Sequence, residues 1–229
     1  MLTIAFGLML IGCQGTPSVQ GQLTPTGSIA AAHSPVAGTV TPTVPPGQAP
    51  ALLVEKTGAA AAPGGFMAFA LVANPSKQTA ADVVIEIRAL GTSGSTISRA
   101  TGHINRIEPA LKQALAVRIP PGRQLPATFD ARVMNVRWLT DENASQPVEV
   151  VSTDFVQDPL IPSARVRLLN HASSQERATV TVVCLDASGD IRGGGTMSIT
   201  VGASTRVQDV SVSLSVPVQP AHCDAYSLT

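Results

Sequence analysis

Three cysteines and four histidines are the side chains of this 229-residue sequence most able to carry chemistry. Cys13 stands alone in the first 183 positions, whereas Cys184 and Cys223 fall in the last quarter. A thiol can be acylated, ligate a metal or pair with another thiol. The triplet His222-Cys223-Asp224 invites a zinc or general-base reading, but a half-buried cystine with polar neighbours on an edge strand accounts for it better. Asp186 and Asp190 flank Ala-Ser-Gly, too few oxygen ligands for a calcium loop, and read as a hairpin turn. Gly193-Gly194-Gly195 precedes no helix, so it is not a phosphate cradle and reads as a bulge or strand edge. His33, His103 and His171 are scattered, and neither a Gly-flanked Ser nor a paired-carboxylate motif accompanies them. The expectation is a protein that is not an enzyme and holds no cofactor or metal.

Composition points to the elements that must position these residues. Aromatic content is 3%, charged content 13% and formal net charge zero, with 19 Gly and 18 Pro. Val, Thr, Ser and Ala fill much of the remainder, which favours an all-β protein with a flexible segment. No basic stripe is present, so nucleic acid is not an expected partner.

Leu2 to Ile11 form one apolar run. It is shorter than the roughly 20 residues that span a bilayer and suits the h-region of a signal peptide. Leu10-Ile11-Gly12-Cys13 resembles the lipobox of bacterial lipoproteins. The resemblance implies cleavage between Gly12 and Cys13, a diacylglyceryl thioether on Cys13 and further acylation of the new amino terminus. Two or three acyl chains anchor stably where one binds only marginally. The implied location is the extracytoplasmic face of the cell membrane, held by lipid. No Asp, Glu, Lys or Arg occurs from Met1 to Val54, so the expectation is either that the α-amino group supplies the positive charge of the n-region or, the favoured reading, that a basic n-region lies upstream of Met1.

Residues 13–50 combine the lipidated Cys13 with a Pro/Thr/Gly-rich stretch that cannot bury enough apolar surface to offset chain entropy. It reads as a disordered tether, about 30–36 Å in r.m.s. span as a flexible coil.

Beyond residue 50 the sequence repeats. An offset of 95 pairs Leu90 with Leu185, Ser93 with Ser188, Gly94 with Gly189, Thr101 with Thr196 and Ile104 with Ile199. With small changes of offset where loops would lie, Asn74 matches Asn170 and the stretch from Phe129 matches that from Cys223. Ile85, Ile87 and Ala89 alternate with Glu86 and Arg88, as a half-buried strand requires. Val180, Val182 and Cys184 repeat the pattern. Glu108 to Val117 looks locally helical, but its counterpart alternates, so a strand is expected over 111–119. Strands are expected near 52–56, 66–73, 82–90, 96–104, 111–119 and 127–138. A second set is expected near 148–153, 165–169, 178–186, 191–201, 205–216 and 221–228. The expected fold is all-β, two tandem Ig-like antiparallel β-sandwiches at 51–140 and 147–229.

Cys184 aligns with Ala89 and Cys223 with Phe129. If these two sites face each other in the core, the second copy can bridge them where the first packs apolar side chains. The alternative is two separate buried thiols. The stretch Val182 to Ile191 resembles the core of FxLyD-type domains, small Ig-like sandwiches of bacterial envelope proteins. Leu185, Asp186 and Gly189 carry the resemblance, and Gly91 replaces the Asp in the first copy. Trp138 ends the first copy and is expected either to pack between the domains or to serve as an exposed contact anchor. The function expected is a membrane-anchored module that presents its sandwiches to an envelope protein. The alternatives are a structural spacer and a ligand-binding lipoprotein that serves a transporter.

Overall fold

The computed structural model describes residues 51–229 except 123, 141–145, 159, 204–205 and 218. The signal segment, Gly12, Cys13, the tether and His33 lie outside the described residues. Every regular element among the described residues is a β-strand. In chain order these are β1 (Leu53–Ala62), β2 (Gly65–Ala73), β3 (Thr79–Leu90), β4 (Thr96–Ile107), β5 (Lys112–Ile119) and β6 (Thr128–Leu139). They continue with β7 (Val148–Val156), β8 (Ser163–Asn170), β9 (Glu176–Leu185), β10 (Ile191–Val201), β11 (Gln208–Ser213) and β12 (His222–Leu228). All twelve expected strands are present, and the ambiguous 111–119 segment is a strand.

The twelve strands form four antiparallel three-stranded sheets, ordered β1-β2-β5, β4-β3-β6, β11-β8-β7 and β10-β9-β12. The first two make one sandwich and the last two make the other, with the same strand order in each. The first core gathers Val72, Val83, Ile85, Ile87, Ile104 and Ile119. The second gathers Val148, Val166, Leu168, Val180, Val182, Cys184 and Val212. The fold is thus two tandem Ig-like sandwiches.

The duplication extends to individual hydrogen bonds. Asn74 and Asn170 are both buried at the end of the second strand of their sandwich. Asn74 Nδ2 donates to Gln78 O at 2.8 Å and Ile107 O at 2.9 Å, while its Oδ1 accepts from Ser76 N at 3.1 Å. Asn170 Nδ2 donates to Ser174 O at 2.8 Å and Gly202 O at 3.1 Å, while its Oδ1 accepts from Ala172 N at 2.8 Å. In each sandwich one amide ties the turn after the second strand to the end of the fourth, supplying partners to backbone groups that burial would otherwise orphan. The β3–β4 and β9–β10 turns also match. Gly94 and Gly189 both adopt left-handed φ values, +76° and +80°, and each donates its N–H to the residue three positions earlier.

A third apolar cluster lies between the sandwiches. Phe69 and Leu71 of β2 and Ala114 of β5 pack on Val183 and Leu185 of β9 and Ile191 of β10. Sheet β1-β2-β5 therefore stacks on sheet β10-β9-β12, and the four sheets form successive layers. This explains why β2, the central strand of one inner sheet, reads as an almost unbroken apolar run, and why β9, the central strand of the other, passes from alternation at Ala178–Val182 to a continuous apolar end at Val182–Leu185: both faces are covered there. Glycines permit the close approach. A Cβ on Gly58 would meet Ile191 Cβ at 2.6 Å, and one on Gly194 would clash with Val182 O and approach Phe69 Cε1 to 3.0 Å. The Gly193–Gly195 run sits beside a bulge in β10, and Gly194 also forms a bridge to Ser215 that links the two sheets of the second sandwich. The bulge reading of that triplet holds.

Candidate functional site: a groove where the sandwiches meet

Beside the stacked sheets a groove of about 580 Å³ opens between the sandwiches. Its walls come from distant parts of the chain. The turn before β5 supplies Glu108 and Leu111, and β5 supplies Gln113. Gln146 adds its amide, the start of β7 contributes Glu149 and flanking valines, His171 follows the end of β8, and β12 brings Ala225, Tyr226 and Ser227. A volume of several hundred Å³ with mixed apolar and polar lining is the usual scale of a small-molecule site.

The polar groups here are unevenly used. Gln113 Nε2 donates to Gln146 Oε1 and to Ser227 O, both at 3.1 Å. Both partners are acceptors, which fixes the orientation of the amide. Ser227 Oγ donates to Val148 O at 2.5 Å, and Gln146 Nε2 to Arg106 O at 3.5 Å. The donors of the wall are thus turned inward. The acceptors are not all matched: Gln113 is 5% exposed, and its Oε1 accepts no hydrogen bond among the described residues. Glu149 lies 2.7 Å from His171 Nε2 at the exposed rim. Glu108 pairs with Arg106 and accepts from Thr79 Oγ1 at 3.1 Å. Burial, followed by the charges of Asp224 and Glu55, pushes the Tyr226 phenol up to about 12, so it stays protonated at neutral pH.

No protein-family model matches the chain, and no curated protein matches it in sequence.

The residues singled out from sequence are dispersed rather than gathered into this groove. Cys184 and Cys223 form a disulfide, with Cα atoms 4.1 Å apart. They are directly opposed on β9 and β12, as Ala89 and Phe129 are on β3 and β6. The bridge therefore joins neighbouring strands of one sheet rather than crossing the core. His222 and Asp224 are 3.7 Å apart on the same edge strand, and no group of three metal-ligating side chains occurs among the described residues. Asp186 closes the β9–β10 turn, accepting from Ser188 N at 2.9 Å and Asp190 N at 3.0 Å and pairing with Arg192 at 2.6 Å. The Ser188 hydroxyl, Arg192 and the Asp190 N–H hold its carboxyl well below the usual carboxylate range. Trp138 packs, half-buried, against the first core through sheet β4-β3-β6, which is not the sheet that forms the apolar cluster with the second sandwich.

Sequence reasoning missed the groove. Gln113, Glu149, His171 and Tyr226 form no local motif, and only the stacking of the sheets brings them together. A usable signal existed in the apolar run of β2 and in the continuous apolar end of β9, Val182–Leu185, which mark sheets covered on both sides.

A second surface lies in the β7–β8 connection. Leu160 is 88% and Ile161 60% exposed. Asp158 Oδ1 accepts from Leu160 N at 2.8 Å and Ile161 N at 3.2 Å, and these two N–H groups hold its carboxyl below the usual range. This Asx turn shapes the loop while leaving both apolar side chains in solvent.

Proposed function

We propose that the chain is a non-enzymatic lipoprotein of the bacterial envelope, anchored by acyl groups on Cys13 at the extracytoplasmic face of the membrane. Its two sandwiches, of the FxLyD type, form one rigid interaction module for an envelope protein. The observation that carries the reading is the Asx-turned loop with Leu160 and Ile161 outward. Adjacent large apolar side chains on a backbone shaped by its own capping carboxylate are a surface suited to a partner. The lipobox-like Leu10–Cys13 supports the anchor, and the cystine is suited to an oxidising compartment. Leu185-Asp186 with Gly189 in the β9–β10 turn supports the family reading.

Two experiments test this. Cys13→Ala should move the protein from the membrane fraction to the soluble fraction, and unchanged fractionation rejects the anchor. A photo-crosslinking residue at position 160 should capture one recurrent envelope protein in intact cells, whereas one at exposed Thr101 should not. Equal capture from both positions would reject the loop as the contact.

A further inference from the structure

We infer that the groove between the sandwiches binds a small aliphatic ammonium compound, with Glu149, Glu108 and Gln113 as acceptors for the cation and Leu111 and Val150 beside its hydrocarbon chain. The inference does not depend on the lipid anchor or on the Leu160–Ile161 loop.

Three observations carry it. The first is the direction of the hydrogen bonds. The Gln113, Gln146 and Ser227 donors are all spent on backbone or amide oxygens of the protein. Apart from the protonated Tyr226 phenol, what the wall has left is mainly acceptor capacity. The second is Gln113 Oε1, a buried acceptor with no donor among the described residues. Leaving such a group unmatched costs on the order of 1–3 kcal/mol, which a ligand N–H can recover. The oxygen is covered, so a donor reaches it only when a neighbouring side chain turns aside. The third is charge. Among the described residues two carboxylates, Glu108 and Glu149, line the groove and no Lys or Arg does, although Arg106 pairs with Glu108 from beside it. Among the described lining residues His171 is the one basic side chain, and it already faces Glu149. An anion would compete with the oxygens of two carboxylates already paired by Arg106 and His171, whereas a cation with several N–H donors meets acceptors that can take further hydrogen bonds. Leu111, 51% exposed, gives an alkyl chain an apolar rest.

Tyr226 is the sole tyrosine of the chain, and it lines the groove while also packing on the inter-sandwich cluster, so it gives one resonance from this junction. The test uses the full chain labelled with 3-fluorotyrosine and follows its single ¹⁹F resonance. n-Hexylammonium should shift the resonance saturably, with hexanoate and 1-hexanol at least tenfold weaker. Glu149→Gln should weaken n-hexylammonium about fivefold or more with the melting temperature unchanged. Glu108→Gln serves as the second variant. Equal binding of hexanol and hexylammonium would reduce the site to an apolar crevice and overturn the proposal. So would a shift that never saturates, or an affinity unchanged in both variants. Nα-acetyl-lysine methylamide carries the same ammonium on a protein side chain. Comparable binding by it assigns the source to a partner's lysine, and binding by hexylammonium alone assigns it to a free amine; both uphold the site.

Discussion

The two sandwiches solve one packing problem in two ways. At the same cross-strand position the first holds Ala89 opposite Phe129, and the second holds the Cys184–Cys223 bridge. The rest of each core explains the difference. Five isoleucines are fully buried in the first sandwich: Ile85, Ile87, Ile104, Ile107 and Ile119. The largest fully buried side chains of the second are Leu168 and several valines. Each strand of the second is also shorter than its counterpart; β12 has 7 residues where β6 has 12. Burial scales with side-chain size and strand length, at about 25 cal/mol per Å² of apolar surface. The copy with less to bury carries the covalent staple.

Removing the staple should therefore separate the copies most sharply. The bridge closes a loop with a sequence separation of 39. On the chain-entropy estimate its loss costs about 4 kcal/mol. Cys184→Ala with Cys223→Ala should lower stability by that order, with amide exchange rising first in β9 and β12 and last in β3. Equal loss of protection in both sandwiches would mean that the difference in core size does not matter.

The next largest effect should come from the seam. Phe69 is fully buried although it points away from the core of its own sandwich. Phe69→Ala should cost about 3 kcal/mol, at the low end for a buried aromatic. Chemical denaturation that is one transition in the parent should broaden or split in the variant, because the inter-sandwich cluster loses its largest member. A single sharp transition at an unchanged midpoint would show that the sandwiches do not depend on each other.

Asn74 and Asn170 test where the copies are alike. Each amide serves one turn and one strand end, so Asn74→Ala and Asn170→Ala should each cost about 2 kcal/mol. Thermal melts of the two variants should be displaced by similar amounts. A much larger loss in one would show that the shared hydrogen-bond pattern carries different weight in the two settings.

The parts legible in the sequence are those written locally. Alternation in Ile85–Ala89 and Val180–Cys184, turn glycines at 94 and 189, and the constant offset place all twelve strands. Matching Cys184 to Ala89 and Cys223 to Phe129 paired the cysteines, although the expected contact across the core became a contact along one sheet. The seam was not legible as such, because an unbroken apolar strand says that both faces are covered without saying by what. Trp138 shows the same limit. Its place at the end of the first copy suggested the junction between the sandwiches, but its strand β6 belongs to the outer sheet. The groove is further still from local sequence, since Gln113 and Tyr226 lie more than a hundred residues apart.

The smallest contrast lies in the two hairpin turns. Asp186 anchors the β9–β10 turn through Ser188, Asp190 and Arg192, while Gly91 at the matching place in the first copy has no side chain to do so. Folding lowers the proton affinity of the Asp186 carboxyl, so the stabilisation is complete above the ordinary aspartate range. It fades as pH falls through that range towards the lowered folded value, because protonation removes both the charge facing Arg192 and acceptor strength towards the turn N–H groups. Acidification from pH 6 to pH 3 should therefore speed exchange of the Gly189 amide more than that of Gly94, once each is corrected for its intrinsic rate. Asp186→Asn should remove the difference in pH response, since an amide keeps an acceptor oxygen and does not titrate. Parallel profiles for Gly94 and Gly189 in the parent protein would show that the Gly189→Asp186 backbone bond alone closes this turn, as the Gly94→Gly91 bond does in the first copy.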